Sequence, residues 1–131
     1  MKKILIFLLL LNISIFAELK HEYPTLELIN SKIPIVDIRT PPEWYETGLV
    51  KGSIPIMFFD ERGRYNVQAF LTELNKKVDT TKPFALICRT ASRTQVVSEF
   101  LSSQLNYKVT NLLGGMVYVK AKGLPTQSYK K

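Results

Sequence analysis

The sequence predicts an α/β domain built on a mainly parallel sheet, and three observations carry that expectation. Short β-branched or apolar segments alternate with helix-forming segments along the chain. Two of them, Ile35-Val36-Asp37-Ile38 and Phe84-Ala85-Leu86-Ile87, are near-continuous apolar runs, as expected of strands covered on both faces. The only cysteine, Cys88, follows the second run directly and precedes a helix, which is where α/β proteins place their chemistry. No internal repeat, low-complexity segment or linker divides the chain, so one domain is expected.

The first residues stand apart from that domain. Met1-Lys2-Lys3 is a basic start, Ile4–Phe16 is almost wholly apolar, and Ala17 is followed at once by Glu18. This is the layout of a secretory signal peptide over residues 1–17, with cleavage after Ala17. The apolar run is shorter than the roughly 20 residues that span a bilayer; an uncleaved anchor is the alternative. No cysteine lies near the cut, which argues against a lipid anchor. The expected product is residues 18–131, exported to the periplasm.

Pro24–Asn30 is predicted as a short opening helix, and Pro34–Arg39 as the first strand, with Asp37 and Arg39 interrupting its end. Thr40-Pro41-Pro42-Glu43 signals a helix start, with a cap, prolines in the first turn and an acid facing the dipole. That helix ends at Gly48. Gly52–Ile56 follows as a strand, and Pro55 assigns it to an edge or an end. Phe58–Tyr65 is predicted as a loop. Val67, Phe70, Leu71, Leu74 and Val78 recur at helical spacing over Val67–Val78. After the central strand Phe84–Ile87 and a six-residue loop, a helix is expected over Thr94–Gln104, burying Val96, Val97, Phe100, Leu101 and Leu105. Lys108–Leu113 is the fourth strand, Met116–Lys122 a closing helix, and the polar tail is expected to fray.

The formal net charge is +7, but the basic residues form only pairs such as Lys76-Lys77, without interleaved aromatics. A solvated basic surface is expected, and no nucleic-acid partner. One cysteine excludes an internal disulfide and a multi-cysteine metal site. The only histidine, His21, has no partner at metal-ligand spacing and is read as surface; no metal or other cofactor is expected. An unpaired thiol in an oxidising compartment is either buried and inert or exposed for use.

The loop favours use. Small and polar Thr90, Ala91 and Ser92 allow the backbone to curl, so that its N–H groups and those of the following helix make an anion nest. A cysteine at its rim is favoured as thiolate. Arg89 and Arg93 add guanidinium groups suited to oxyanions.

Cys88-Arg89-Thr90-Ala91-Ser92-Arg93-Thr94 resembles the active-site loop of rhodanese-type sulfurtransferases: a cysteine, four variable residues, an arginine, then Ser or Thr. Three further segments are similar to that family in the same order: Ile35–Trp44, Gly48–Ile56, and Asn111–Met116 through Gly123-Leu124-Pro125. The resemblance implies a rhodanese-like fold, with helices on both faces of the parallel sheet. It implies that the Cys88 thiolate takes a sulfane sulfur from a small anionic donor, thiosulfate or polysulfide, and becomes a persulfide. A thiol, sulfide or protein acceptor then removes that sulfur. Backbone N–H groups of Arg89, Thr90, Ala91, Ser92 and Arg93 would hold the substrate and persulfide, and Asp37 and Arg39 would steady neighbouring loops from behind. In oxyanion-handling relatives the loop is one residue longer, so six residues imply sulfur transfer. The loop also resembles that of periplasmic polysulfide–sulfur transferases, which form dimers, so a homodimer is an expected assembly. The alternative is a non-catalytic module of the same family that carries sulfur or binds a partner. Departures from the family pattern are Leu49 in place of His, Val119 in place of Trp, and Ala91 where Gly is common. Ala91 is a poor fit if that backbone needs a positive φ.

Overall fold

The computed structural model describes residues 18–130. The leader expected over residues 1–17 lies outside the described residues. Five parallel strands form the central sheet: β1 (Lys20–Glu22), β2 (Ile35–Asp37), β4 (Ile54–Pro55), β5 (Phe84–Ile87) and β6 (Val109–Leu112), in the spatial order β1-β6-β5-β2-β4. A second, two-stranded antiparallel sheet pairs β3 (Leu49–Val50) with β7 (Thr126–Gln127). The helices are α1 (Leu26–Ile29), α2 (Pro41–Thr47), α3 (Val67–Lys77), α4 (Ser92–Leu105) and α5 (Gly115–Ala121). No helix among the described residues is long and apolar enough to cross a membrane.

Strand alternation sorts the core into two layers. Val36, Phe84 and Leu86 point to the face covered by Phe70 and Leu74 of α3 and by Val97 and Leu101 of α4. Ile35, Ala85 and Ile87 point to the opposite face, against Met116 and Val119 of α5 and the partly buried Leu28 and Ile29 of α1. The two-sided burial read from the apolar runs is therefore present, with helices on both faces. Each large side chain removed from water contributes roughly 1.5–3 kcal/mol, so these two layers dominate the stability of the fold. β4 is the edge next to β2, where Pro55, with no N–H to donate, is tolerated.

Three local expectations need correction. Helix α4 begins at Ser92, two residues earlier than expected, because the amide of Gln95 already bonds to the carbonyl of Ala91. Val96 is not buried but 61% exposed. Val96 and Val97 lie about 100° apart around a helix and cannot both face inward; the stripe Thr94, Val97, Ser98 and Leu101 takes the inner side. The tail is not frayed up to Tyr129. Thr126 and Gln127 pair with Val50 and Leu49, and the Tyr129 ring packs edge-on against Trp44 and Tyr45. Gly48 makes this approach feasible: its φ is +72°, and a Cβ there would stand 2.6 Å from the carbonyl oxygen of Gln127.

Candidate active site

All five strands of the main sheet run the same way, so their C-terminal ends share one edge of the molecule. Asp37 ends β2, Cys88 follows β5, and Leu113-Gly114 follows β6. The loop from Cys88 to Ala91 crosses that edge and enters α4.

Its shape is set by two neighbours. The carbonyls of Cys88 and Arg89 accept the amides of Met116 and Val117, in the first turn of α5, at 2.9 and 3.1 Å. In a trans peptide the N–H points opposite to the preceding C=O, so the amides of Arg89 and Thr90 are turned away from α5. The next amide, that of Ala91, donates to Cys88 Sγ at 3.2 Å. Ala91 itself has φ +79° and ψ 0°, the left-handed conformation, which closes the loop onto the N-terminus of α4. The close contact with α5 also requires Gly115, where a Cβ would collide with the backbone of Cys88 and Arg89. Cys88 is wholly buried, with Thr94 Oγ1 at 3.6 Å from its sulfur.

The charged residues fall into two layers. Asp37 and Arg39 are not a surface pair: both are buried, and Arg39 donates through Nε and Nη2 to the Asp37 carboxylate at 2.8–3.1 Å. Arg39 also reaches Thr47 Oγ1 (2.6 Å) and the Gly48 carbonyl (2.7 Å), so that it ties the C-terminus of α2 to the end of β2. Asp37 accepts the indole N–H of Trp44 as well. Nearer the loop, Arg93 donates both Nη groups to Glu43 of α2, at 2.7 and 2.8 Å. The hydrogen bond from Arg93 lowers the pKa of Glu43 from 4.5 to about 2, against a smaller opposing effect of burial. Glu43 in turn raises that of Arg93. The charge of Arg93 is thus paired chiefly with Glu43, with smaller attractions from Cys88 and Asp37, and the pair anchors the start of α4 to α2.

The other loop residues separate by exposure. Arg89, Thr90 and Ser92 are exposed, and Ala91 is buried. Arg89 lines a cleft between α2 and α5 together with Glu43, Thr47, Met116 and Lys120. On the other side of the loop, a hollow is lined by His21, Tyr23, Thr90, Gln95 and Asn111. A third hollow, between α3 and the segment Pro55–Asn66, contains no residue of the Cys88 loop. Among the described residues no group of three or more His, Cys, Asp or Glu stands close enough to hold a metal ion.

The sequence reading named Cys88 through Arg93, Asp37 and Arg39, and all of them meet at this edge. Three contributors escaped it. Local sequence places Glu43 only at the dipole of α2; its partner Arg93 is 50 residues away in the chain, beyond any local pattern. Thr94 and Asn111 each fall in a segment that resembles the family, but the hydrogen bond that joins them links α4 to β6 and leaves no local pattern. The position of Thr94, three residues after Ala91 at the first turn of a helix, was the available signal.

The family model described as the rhodanese-like domain matches residues 21–122. Among solved structures, the chain is similar to the M. tuberculosis protein Rv0390 (TM-score 0.67, 19% identity), with 86% of this chain and 100% of that one covered. It is also similar to the rhodanese-like domain of an Anabaena sp. protein (TM-score 0.62, 15% identity; 79% and 74% covered). A rhodanese-like domain protein from Staphylococcus aureus gives TM-score 0.56 at 24% identity, with 78% and 89% covered. No curated protein matches the sequence.

Proposed function

The chain belongs to the rhodanese-like domain family, and from that premise we propose that it is a sulfurtransferase working through a persulfide on Cys88. The family supports a sulfurtransferase-type or sulfur-carrier module; the donor, the acceptor and the residues are our reading. The Cys88 thiolate attacks the outer sulfur of thiosulfate. A Cys–S–S⁻ persulfide forms, the sulfur–sulfur bond of the donor breaks, and its electron pair leaves with sulfite. Polysulfide reacts in the same way and leaves one sulfur shorter. An acceptor thiolate, sulfide or, in an assay, cyanide then attacks the outer sulfur of the persulfide and regenerates the thiolate.

The observation that carries this reading is the orientation of the loop. Its first two carbonyls are held by α5, which turns the amides of Arg89 and Thr90 away from that helix, and the Ala91 N–H donates to Sγ, a dipole that favours negative charge on the sulfur. Arg89 and Lys120 outweigh Glu46 in the adjoining cleft, where Arg39 and Glu43 are already paired with Asp37 and Arg93, and the remaining positive charge favours an anionic donor. With Arg93 occupied by Glu43, the loop offers less charge to a fully ionised oxyanion than its two arginines imply. Export to the periplasm and assembly as a homodimer belong to the same proposal, from the leader sequence and the loop resemblance.

Mass spectrometry after treatment with thiosulfate or polysulfide tests it. The expected result is a gain of one sulfur at Cys88, removed by cyanide or a thiol and absent from Cys88→Ser. No adduct, or turnover that survives Cys88→Ser, overturns the reading. The complete burial of Cys88 favours a second one, a carrier that shields one stored sulfur from solvent. A single transfer without turnover distinguishes carrier from enzyme.

A further inference from the structure

A hydrogen-bonded array leads from Cys88 to the surface through three elements. Cys88 Sγ is 3.6 Å from Thr94 Oγ1, on α4. The Thr94 hydroxyl donates to Asn111 Oδ1 on β6, and Asn111 Nδ2 lies 3.1 Å from Nδ1 of His21 on β1. Thr94 and Asn111 are buried, whereas His21 is exposed. Each member has a fixed supply of protons. The Thr94 hydroxyl has one, with Asn111 Oδ1, the Ala91 carbonyl (3.2 Å) and Cys88 Sγ all in position to receive it.

We propose that His21 and Asn111 are positioning residues that set the direction of the Thr94 hydroxyl proton, and through it the fraction of Cys88 held as thiolate. The proposal rests on the reading of Cys88 as the sulfur-accepting nucleophile.

With His21 neutral, its Nδ1 lone pair accepts from the Asn111 amide, so Nε2 carries the ring proton. Asn111 then presents Oδ1 to Thr94 and draws the hydroxyl proton. The lone pairs of Thr94 Oγ1 face Sγ, which suits a thiol S–H as donor. When His21 takes a proton from solvent, Nδ1 becomes a donor and Asn111 matches it only by a half-turn of its amide. Nδ2 now donates to Thr94, whose hydroxyl proton is released toward Sγ. A thiolate receives it in a charge-assisted hydrogen bond, stronger than the bond to the neutral Ala91 carbonyl. No proton crosses the amide; only its orientation is transmitted. Protonation at the surface thus favours ionisation at the buried sulfur.

Arg93, paired with Glu43, is the charged group that acts on Cys88 from the other side of the loop, and among the described residues no charged group lies between His21 and the array. The hollow beside His21 is lined by no carboxylate, ammonium or guanidinium. Its other titratable group, the Tyr23 phenol, packs against Tyr118 of α5 at 4.8 Å. Lys20 and Glu22 flank His21 on its own strand.

Alkylation of Cys88 by iodoacetamide tests the proposal, because it reads thiolate whether or not the protein transfers sulfur. Rates are followed from about pH 5 to 8 in the wild type, His21→Phe, Thr94→Val and Thr94→Ser. After correction for the ordinary rise of thiolate with pH, the wild type should keep an excess reactivity of about three- to tenfold on the acid side. His21→Phe and Thr94→Val should lose it, and Thr94→Ser should retain it. An excess that survives Thr94→Val would mean a through-space charge effect and overturns the array, as would identical profiles for wild type and His21→Phe. The unmutated protein gives a second readout free of folding effects. His21 is the only histidine, so its ring nitrogens are identified in NMR without assignment, and a neutral ring protonated at Nδ1 overturns the proposal. If the coupling is found but no persulfide forms, the sulfur-transfer reading fails while the coupling stands.

Discussion

At the scale of single residues, Ala91 is the position where sequence and backbone disagree. A non-glycine residue in the left-handed region costs about 1–2 kcal/mol, and Ala91 sits there at φ +79°. Glycine relieves that strain but gives back part of it as unfolded-state entropy. Ala91→Gly should therefore stabilise the protein by about 0.5–1 kcal/mol, seen as a higher urea midpoint at unchanged slope. Glu43 offers a test with a pH signature. Its folded pKa of about 2 lies below the ordinary 4.5, so the pair with Arg93 stabilises the fold above about pH 4.5, and that contribution fades as the pH falls through about 2. Glu43→Gln should destabilise by about 1 kcal/mol at neutral pH for this partly exposed pair. Its stability curve should converge with that of the wild type toward pH 2.

At the scale of elements, α2 is held by its buried polar tether more than by its own seven residues. Such a short helix is marginal alone. It is positioned because Arg39 bridges Asp37 to Thr47 and Gly48, while Trp44 both packs inward and donates to Asp37. Asp37→Ala strands a buried guanidinium and should cost about 3–5 kcal/mol in chemical denaturation. Asp37→Leu combined with Arg39→Met should cost less than that single change, because no unpaired charge remains. The sequence made the presence of these elements legible, since cap, prolines and apolar spacing are local signals. The choice among adjacent apolar residues was not local. Val97 is buried rather than Val96 because Thr94 and Ser98 occupy the same inner stripe, a decision made by the loop and β6 and not by hydrophobicity.

At the scale of the whole molecule, the central layers and the strand–loop–helix at Cys88 were readable, and β1 and β7, the first and last strands of the described residues, were not. β1 reads Lys-His-Glu and exposes all three residues, so no apolar alternation marks it. β7 pairs through only Thr126 and Gln127 with β3. Both are recruited by backbone pairing to surfaces formed elsewhere in the chain. The tail nevertheless has a function in the architecture, because Tyr129 covers Trp44 and Tyr45. A chain ending at Pro125 should lose about 1–3 kcal/mol, from two aromatic contacts of about 0.5–1.5 kcal/mol each. It should also show faster amide exchange in α2 while β5 keeps its protection.

The placement of β1 against β6 joins strands from opposite ends of the sequence, Lys20 opposite Thr110. Only three exposed residues hold β1 in that place, which puts this contact among the first to open locally. An opened β1 leaves Asn111 facing water instead of His21. The hydrogen-bonded array that begins at Cys88 is thereby tied to the completion of the sheet, and a chain that has built only its core would carry the cysteine without it.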